Sequence, residues 1–323
     1  MDEKVRLAQA EYELEMRSKP NVNQLNTMTN ALRKAFNDDN MEVEQAGKGF
    51  TFILNEKKYK IKPDGTVSEV MNPTPIIYWK VDNEGVLHIR ATDSTGYSQG
   101  LGGWIQSASS IVKAKIEEPI APAGSCYRMF YRCANLESIE NIENLHTENV
   151  TRMDGMFDGC TNLKNLNVSG FDTSNVTEMG EMFSGCRALT KINANNFDTS
   201  NVIDMPSMFN GCVNLTELNV DNFDTSLLKN ASAMFNGCNS LTKISLNNWS
   251  TASMTSVSAM LQISVNHAMT EVNLGKNFTL NNDINCDRIF NNHKNTITIN
   301  CNATTAAKLS EMYRGFTNIH AIY

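Results

Sequence analysis

The residues with the most obvious chemical potential in this chain are its eight cysteines, at 126, 133, 160, 186, 212, 238, 286 and 301. A disulfide framework, a thiolate metal centre or a reactive thiol are the chemistries open to them, and spacing decides among these. Five close nearly the same phrase: MFYRC at 129–133, MFDGC at 156–160, MFSGC at 182–186, and MFNGC at 208–212 and 234–238. The steps between Cys133, Cys160, Cys186, Cys212 and Cys238 are 27, 26, 26 and 26 residues. Cysteines at one slot of a repeat stack coil on coil, about 4.8 Å apart. Their side chains point the same way, whereas a disulfide prefers Cβ atoms ~3.8 Å apart. The column is therefore expected to be reduced and buried, each thiol serving as a small apolar residue. One thiol per coil and the absence of CxxC give no tetrahedral metal set. Cys126 and Cys286 fall in the slot held elsewhere by Met153, Met179 and Met205, and are expected in the core. A bridge between Cys286 and Cys301 stays open at this level.

The other candidate groups are weaker. Asp172, Asp198 and Asp224, followed by Ser250, recur at the repeat period. Stacked carboxylates repel unless each accepts hydrogen bonds or a cation lies between them. Asp ahead of Thr-Ser is an Asx-turn signature, so turn closure is expected, with calcium as the alternative. His88, His146, His267, His293 and His320 share no slot and form no HxxxH. The glycines at 96, 100, 102 and 103 include a GxG, but no capped helix follows to cradle a phosphate. No serine stands in GxSxG. No position gathers an acid, a base and a nucleophile, so neither an enzyme nor a cofactor or metal is expected.

These groups must be positioned by the repeat. A fixed period of this size marks a solenoid, whose coils cannot bury their apolar faces alone. One unit, from 171, reads FDTSNVTEMGEMFSGCRALTKINANN. Val176, Met179, Met182, Phe183 and Cys186 predict one face of a short helix, and Leu189, Ile192 and Ala194 follow the LxxLxL spacing of a leucine-rich-repeat strand. Phe171, Phe197, Phe223 and Trp249 form an aromatic column expected to pack at the coil corner. The fold class is α/β: a leucine-rich-repeat solenoid of about 26-residue coils, one short strand and one short helix each, behind a small α+β N-terminal domain.

The division expected is 1–70 for the small domain, 71–118 for a linker and β-hairpin cap, 119–301 for the solenoid and 302–323 for a C-terminal cap. In the first part, Val5, Ala8 and Tyr12 share a helical face that Leu7 and Leu14 miss; Val22, Leu25, Met28, Leu32 and Phe36 make a cleaner stripe. Lys19-Pro20 separates the two helices. Residues 50–54 and 59–61 alternate as strands around 55–58, with a turn at Asp64-Gly65. Residues 71–75 read as a linker; 77–81 and 86–90 as a hairpin across Asp82–Gly85; 93–103 as a loop; 111–116 as a strand; 303–312 as a helix and 317–323 as a last strand.

Outward-facing residues on the repeat strands supply the candidate binding site. One column is Ser138, Asn165, Lys191, Glu217, Lys243 and Glu271; the next is Glu140, Asn167, Asn193, Asn219, Ser245 and Asn273. Alternating charges attract on neighbouring strands, and stacked asparagines can hydrogen-bond along the ladder. The columns lack the Tyr, Trp and Arg that dominate protein interfaces, so weak or avidity-dependent binding is expected of them. A net charge of −7 argues against nucleic acid. No apolar run approaches the ~18–20 residues that span a bilayer, and MDEKVRLAQAEYELEMR is charged throughout, with no export signal or wall anchor visible. A chain trimmed of a leader would look the same.

The phrase FDTSNVTxMxxMFxGCxxL, at 171–189 and 197–215 and more loosely at 223–241 and 249–261, resembles the BspA-like leucine-rich-repeat surface proteins of bacteria over about 120–290. Residues 1–70 look like the globular remainder of a type IV pilin-like protein, without a fingerprint residue to carry it. The resemblance implies a cell-surface or extracellular bacterial protein that binds host matrix proteins of the fibronectin or fibrinogen type. The alternative is a structural, pilus-like subunit with the repeats as a displayed spacer.

Overall fold

The computed structural model describes residues 2–18, 24–36, 38, 41–46, 49–54, 57–62, 67–71, 74, 76–92, 98–262, 267–290, 297–313 and 317–322. The chain forms two units, Met1–Asn72 and Pro73–Tyr323. Lys19-Pro20, Val22, Asp64-Gly65, Asn72-Pro73, Pro75, Gly96 and His293, each named in the reading of the sequence, lie outside the described residues.

In the first unit the helical stripes do what their spacing predicts. Helix α1 (Asp2–Ser18) buries Val5 and Ala8 and leaves Leu7 64% exposed, while α2 (Gln24–Phe36) buries Met28, Ala31 and Leu32. They share a core with an antiparallel sheet of order β1 (Val43–Ala46), β2 (Gly49–Leu54), β3 (Lys57–Ile61), β4 (Val67–Glu69). Phe52 stacks on Tyr59 with ring centroids 5.5 Å apart, and Tyr12 meets Phe50 edge-on at the same distance.

The second unit opens with the hairpin β5 (Tyr78–Val81) and β6 (Val86–Arg90). Asp82 closes its turn by accepting from the N–H groups of Glu84 and Val86, both at 2.9 Å. Strand β7 (Ser98–Gln99) pairs with β5, and β8 (Lys113–Ile116) lies parallel between β6 and β9 (Ser138–Glu140). The hairpin thus extends the parallel strand wall of the array and ends it on an antiparallel pair, which covers an otherwise open edge. Residues Gly103–Ser110, read as loop at their start, form a 3₁₀ helix that delivers the fully buried Trp104 against Phe130, centroids 6.1 Å apart.

Successive coils then stack with their apolar columns in contact. Phe130, Phe157, Phe183, Phe209 and Phe235 are parallel rings 5.5–6.0 Å apart, all fully buried. Phe197, Phe223 and Trp249 form a second stack at 6.5 and 6.3 Å, also buried. The array ends on the parallel strands β10 (Lys243–Leu246), β11 (Glu271–Leu274), β12 (Thr298–Cys301) and β13 (Ile319–Ala321). Between β12 and β13 runs α3 (Ala303–Met312), capped by Asn302, whose side-chain oxygen accepts from the Thr305 N–H at 2.8 Å.

The solenoid is as expected, but the helix in each coil is replaced by a chain of tight turns, and the strands expected at 163–168, 189–194 and 215–220 are extended segments joined there only by the isolated bridge between Lys191 and Glu217. Glu181, Gly185, Ser207, Gly211, Ala233 and Gly237 have φ between +55° and +72°. An α-helix cannot absorb a left-handed residue every fourth position. Alternate N–H groups bond the next coil instead: those of Met153, Gly155, Phe157 and Gly159 donate to the carbonyls of Glu178, Gly180, Met182 and Ser184 at 2.8–2.9 Å. The N–H groups between them bond back three residues, as from Met156 to Met153 and from Asp158 to Gly155. Half the hydrogen bonds a helix would keep to itself thus stitch coil to coil. The turn chain brings an apolar residue inward every three or four positions, the same spacing a helix would show.

Candidate protein-binding surface

The predicted outward columns share one side of the array because their neighbours in sequence are core residues, and regular strands carry them only at the two ends, β9 and β10–β11. Val168, Ile192, Ala194 and Val220 are buried, while Asn165, Asn167, Lys191, Asn193, Glu217, Asn219 and Lys243 are exposed; Glu271 and Asn273 are half-buried. The structure joins the charged column in pairs. Lys191 meets Glu217 at 2.9 Å and Lys243 meets Glu271 at 2.8 Å. The Lys243 hydrogen bond, followed by that of Asn273, holds the Glu271 carboxyl below its ordinary range. Such exposed pairs are screened by solvent and add little to stability.

The asparagine column behaves differently from a ladder. Asn167, Asn193 and Asn219 each turn inward on their own coil, accepting from the N–H groups of Ser169, Asn195 and Asp221 at 3.0–3.1 Å. Asn273 follows the coil-to-coil reading, accepting from the Asn300 amide at 2.6 Å, and the Ser245 hydroxyl reaches Asp221 of the preceding coil at 2.7 Å. Local closure wins because an Asx turn is formed within three residues and needs no partner coil in register.

Asp172, Asp198 and Asp224 close turns in the same way. The Ser174 N–H and hydroxyl donate to Asp172 Oδ1 at 3.1 and 2.8 Å, those of Ser200 to Asp198 at 3.1 and 2.7 Å, and the Ser226 N–H to Asp224 at 2.9 Å.

The next letter of the phrase carries a feature the sequence reading missed. Thr147, Thr173, Thr199, Thr225 and Thr251 are buried, and each hydroxyl donates to a backbone carbonyl of the following coil at 2.7–3.0 Å. At four of these the same hydroxyl accepts the N–H of that coil: Asp172 to Thr147, Asp198 to Thr173, Ser250 to Thr225 and Thr279 to Thr251. The recurrence of threonine at the repeat period was the available signal; its role depends on a coil spacing that sequence does not state.

All eight cysteines are free and buried. In the column, the four thiols after Cys133 each donate to the phenylalanine carbonyl of the preceding coil, Cys160 to Phe130, Cys186 to Phe157, Cys212 to Phe183 and Cys238 to Phe209, at 3.1–3.2 Å. Burial pushes the thiols of Cys126, Cys133 and Cys212 from the ordinary 9.0 up to about 12, and that of Cys301 to about 11. A thiol held protonated is a poor nucleophile. The folded protein is expected to resist a thiol reagent at pH 8, with all eight groups reacting in denaturant, and its unreduced mass to show no bridge in the column. Because the folded pKa values lie above the unfolded ones, this contribution to stability is complete below about pH 9 and is lost as pH rises towards 12. Rapid labelling of the native protein at the column would contradict the packing.

Of the histidines, His88 is held between two carboxylates, Nε2 3.0 Å from Asp82 and Nδ1 2.8 Å from Glu117, beside an Arg90–Glu118 pair at 2.6 Å. These groups fasten the hairpin to the segment after β8. They were not legible as a cluster because they are scattered from 82 to 118. Among the described residues no group of three or more His, Cys, Asp or Glu is placed to hold a metal ion, and no helix is long and apolar enough to cross a membrane.

Stacked coils, a strand wall and a self-satisfied polar face define a leucine-rich-repeat protein. More narrowly, residues 124–218 and 190–305 match the family described as Mycoplasma protein of unknown function, DUF285, and since this spans more than half the chain, the chain belongs to that family. Among solved structures it is similar to a leucine-rich repeat protein from Bacteroides ovatus, at 17% identity and a TM-score of 0.38, covering 77% of this chain and 70% of that one. It is also similar to the T. pallidum leucine-rich repeat protein, at 13% identity and a TM-score of 0.32, covering 76% and 96%. No curated protein matches.

Proposed function

We propose that this chain is a protein-binding module of a bacterial cell surface, contacting host matrix proteins of the fibronectin or fibrinogen type through the solenoid. The observation that carries the reading is the side of the array that displays Asn165, Lys191, Glu217 and Lys243 to solvent in successive coils, with charges paired along the column and not gathered at one point. The resemblance of the repeat phrase to BspA-like surface proteins supports the location and the partner class. Repeat arrays use extended surfaces of this kind for binding.

The double reversal Lys191→Glu with Lys243→Glu tests the face. Each lysine is exposed, so the array should stay folded, with a modest loss of stability from the broken pairs and the repulsion between the new carboxylates. Affinity for immobilised fibronectin or fibrinogen should fall about tenfold, or about 1.4 kcal/mol. Unchanged affinity would remove this face from the contact.

A second reading keeps 1–70 as a pilin-like assembly domain, favoured by its being a separate unit of two helices and a four-stranded antiparallel sheet. Polymers of the full chain in sedimentation velocity would support it, and a strict monomer would count against it.

A further inference from the structure

The arginines and tyrosines missing from the outward columns are concentrated on the turn side of the first coil and the start of the second. Guanidinium groups and rings alternate there in the order Arg152, Tyr127, Arg128, Tyr131, Arg132, with guanidinium-to-centroid distances of 4.8, 5.1, 4.5 and 4.9 Å. We propose that this stack is a contact surface for a partner-protein segment that presents an isolated side-chain carboxylate. The proposal rests on the chain being a protein-binding module, but not on the strand wall being the face used.

Backbone geometry sets this coil apart. Arg132 has φ +57° at a slot that the next four coils fill with Gly159, Gly185, Gly211 and Gly237, at φ +67° to +76°. Non-glycine residues take the same φ at a neighbouring slot, as Glu181, Ser207 and Ala233 do, so what marks this coil is the departure from glycine at the Arg132 slot itself. The following coil is shaped to receive the arginines. A β-carbon on Gly155 would come 2.9 Å from Arg128 Cγ, and one on Gly159 would come 3.5 Å from Arg132 Cγ. Glycine at 155 makes room for the Arg128 stem, while the contact at 159 is an ordinary one.

The stack also fixes what kind of ligand fits. Tyr127 and Tyr131 each have guanidinium groups over the ring, so aromatic faces are not offered to sugars, bases or apolar groups. What remains outward are N–H and O–H donors, which call for an acceptor. Arg152 already donates to Asp154 and Glu178 at 3.1 and 2.9 Å. Arg128 reaches Glu181 only at 3.8 Å, beyond hydrogen-bond range, and the Arg132 guanidinium donates no hydrogen bond among the described residues. A carboxylate matches the fork of an arginine in two parallel bonds. Asp154, Asp158, Glu178 and Glu181 surround the three guanidinium groups, so the patch carries no positive excess to draw a dense polyanion such as nucleic acid or an anionic membrane. Holding the arginines by stacking before the partner arrives lowers the ordering cost of binding, and Tyr and Arg are the residue types that dominate interface energetics.

The test uses the full chain and a phage-displayed library of random 12-residue peptides, with enriched peptides then measured by fluorescence polarisation. The expected result is enrichment of peptides bearing Asp or Glu, binding at least tenfold weaker to Arg132→Gly and to Arg128→Gln, and binding unchanged in Lys191→Glu with Lys243→Glu. Arg132→Gly should keep or raise the melting temperature, since glycine fits the left-handed backbone. Loss of melting temperature in Arg132→Gly without loss of binding would make the stack an end cap and overturn the proposal. Absence of enrichment, enriched peptides without acids, or equal binding by all arginine variants would overturn it as well. Loss of binding only in the lysine double variant would instead place the contact on the strand wall, leaving the broader binding reading intact.

Discussion

Replacing Phe183 by alanine is expected to destabilise the array by about 3–5 kcal/mol, the usual cost of emptying a fully buried aromatic site. Phe183 is fully buried and stacked on both sides, 5.7 Å from Phe157 and 5.5 Å from Phe209, with Phe197 at 6.5 Å. Its carbonyl also accepts the Cys212 thiol, so a shifted backbone would disturb the cysteine column. In a solenoid each coil depends on the interface with its neighbours. A cavity here weakens two interfaces at once, and the surrounding rings cannot close it without leaving their parallel stack. Urea unfolding followed by circular dichroism should show a lower midpoint. A loss below about 1 kcal/mol would mean the rings are not in the packed column described.

The second large effect is expected from Thr173→Val, which keeps the shape of the side chain and removes one oxygen. The Thr173 hydroxyl donates to the Asp198 carbonyl at 3.0 Å and accepts the Asp198 N–H at 2.8 Å, in a site where Thr173 is 1% exposed. Valine would remove both of these hydrogen bonds at a buried site, at about 1–3 kcal/mol. Thr173→Ser keeps the hydroxyl and loses one methyl, for roughly 0.8 kcal/mol. Thermal unfolding of the pair separates the roles: valine should be clearly worse than serine. Equal melting temperatures would mean that packing, and not the hydroxyl, is what the site requires.

The parts of this molecule visible in the sequence are those set by periodicity or by local chemistry. Val5 and Leu7 took opposite sides of α1 because the helical period is local, and Asp172 closed its turn because the serine it accepts from is two residues away. The cysteine column followed from its spacing and the distance between coils. The turn chain did not, because Val176, Met179, Met182 and Phe183 have a spacing shared by helices and by successive three-residue turns, and non-glycine residues such as Glu181 and Ser207 give no sign of positive φ. Asn167 and Asn193 could bond along the ladder or within their own coil, and only the backbone decides. At the first coil the signal was present as a departure from the phrase, MFYRC where later coils read MFxGC, but its meaning required knowing that the slot of Arg132 is left-handed.

The measurement that bears most directly on the account is surface plasmon resonance of the 323-residue chain over a panel of immobilised matrix proteins, fibronectin and fibrinogen included, at two salt concentrations. A polar, charge-bearing contact should give saturable binding that weakens at the higher salt. Silence across the panel from folded, monodisperse protein would contradict the reading of this solenoid as a matrix-binding surface module.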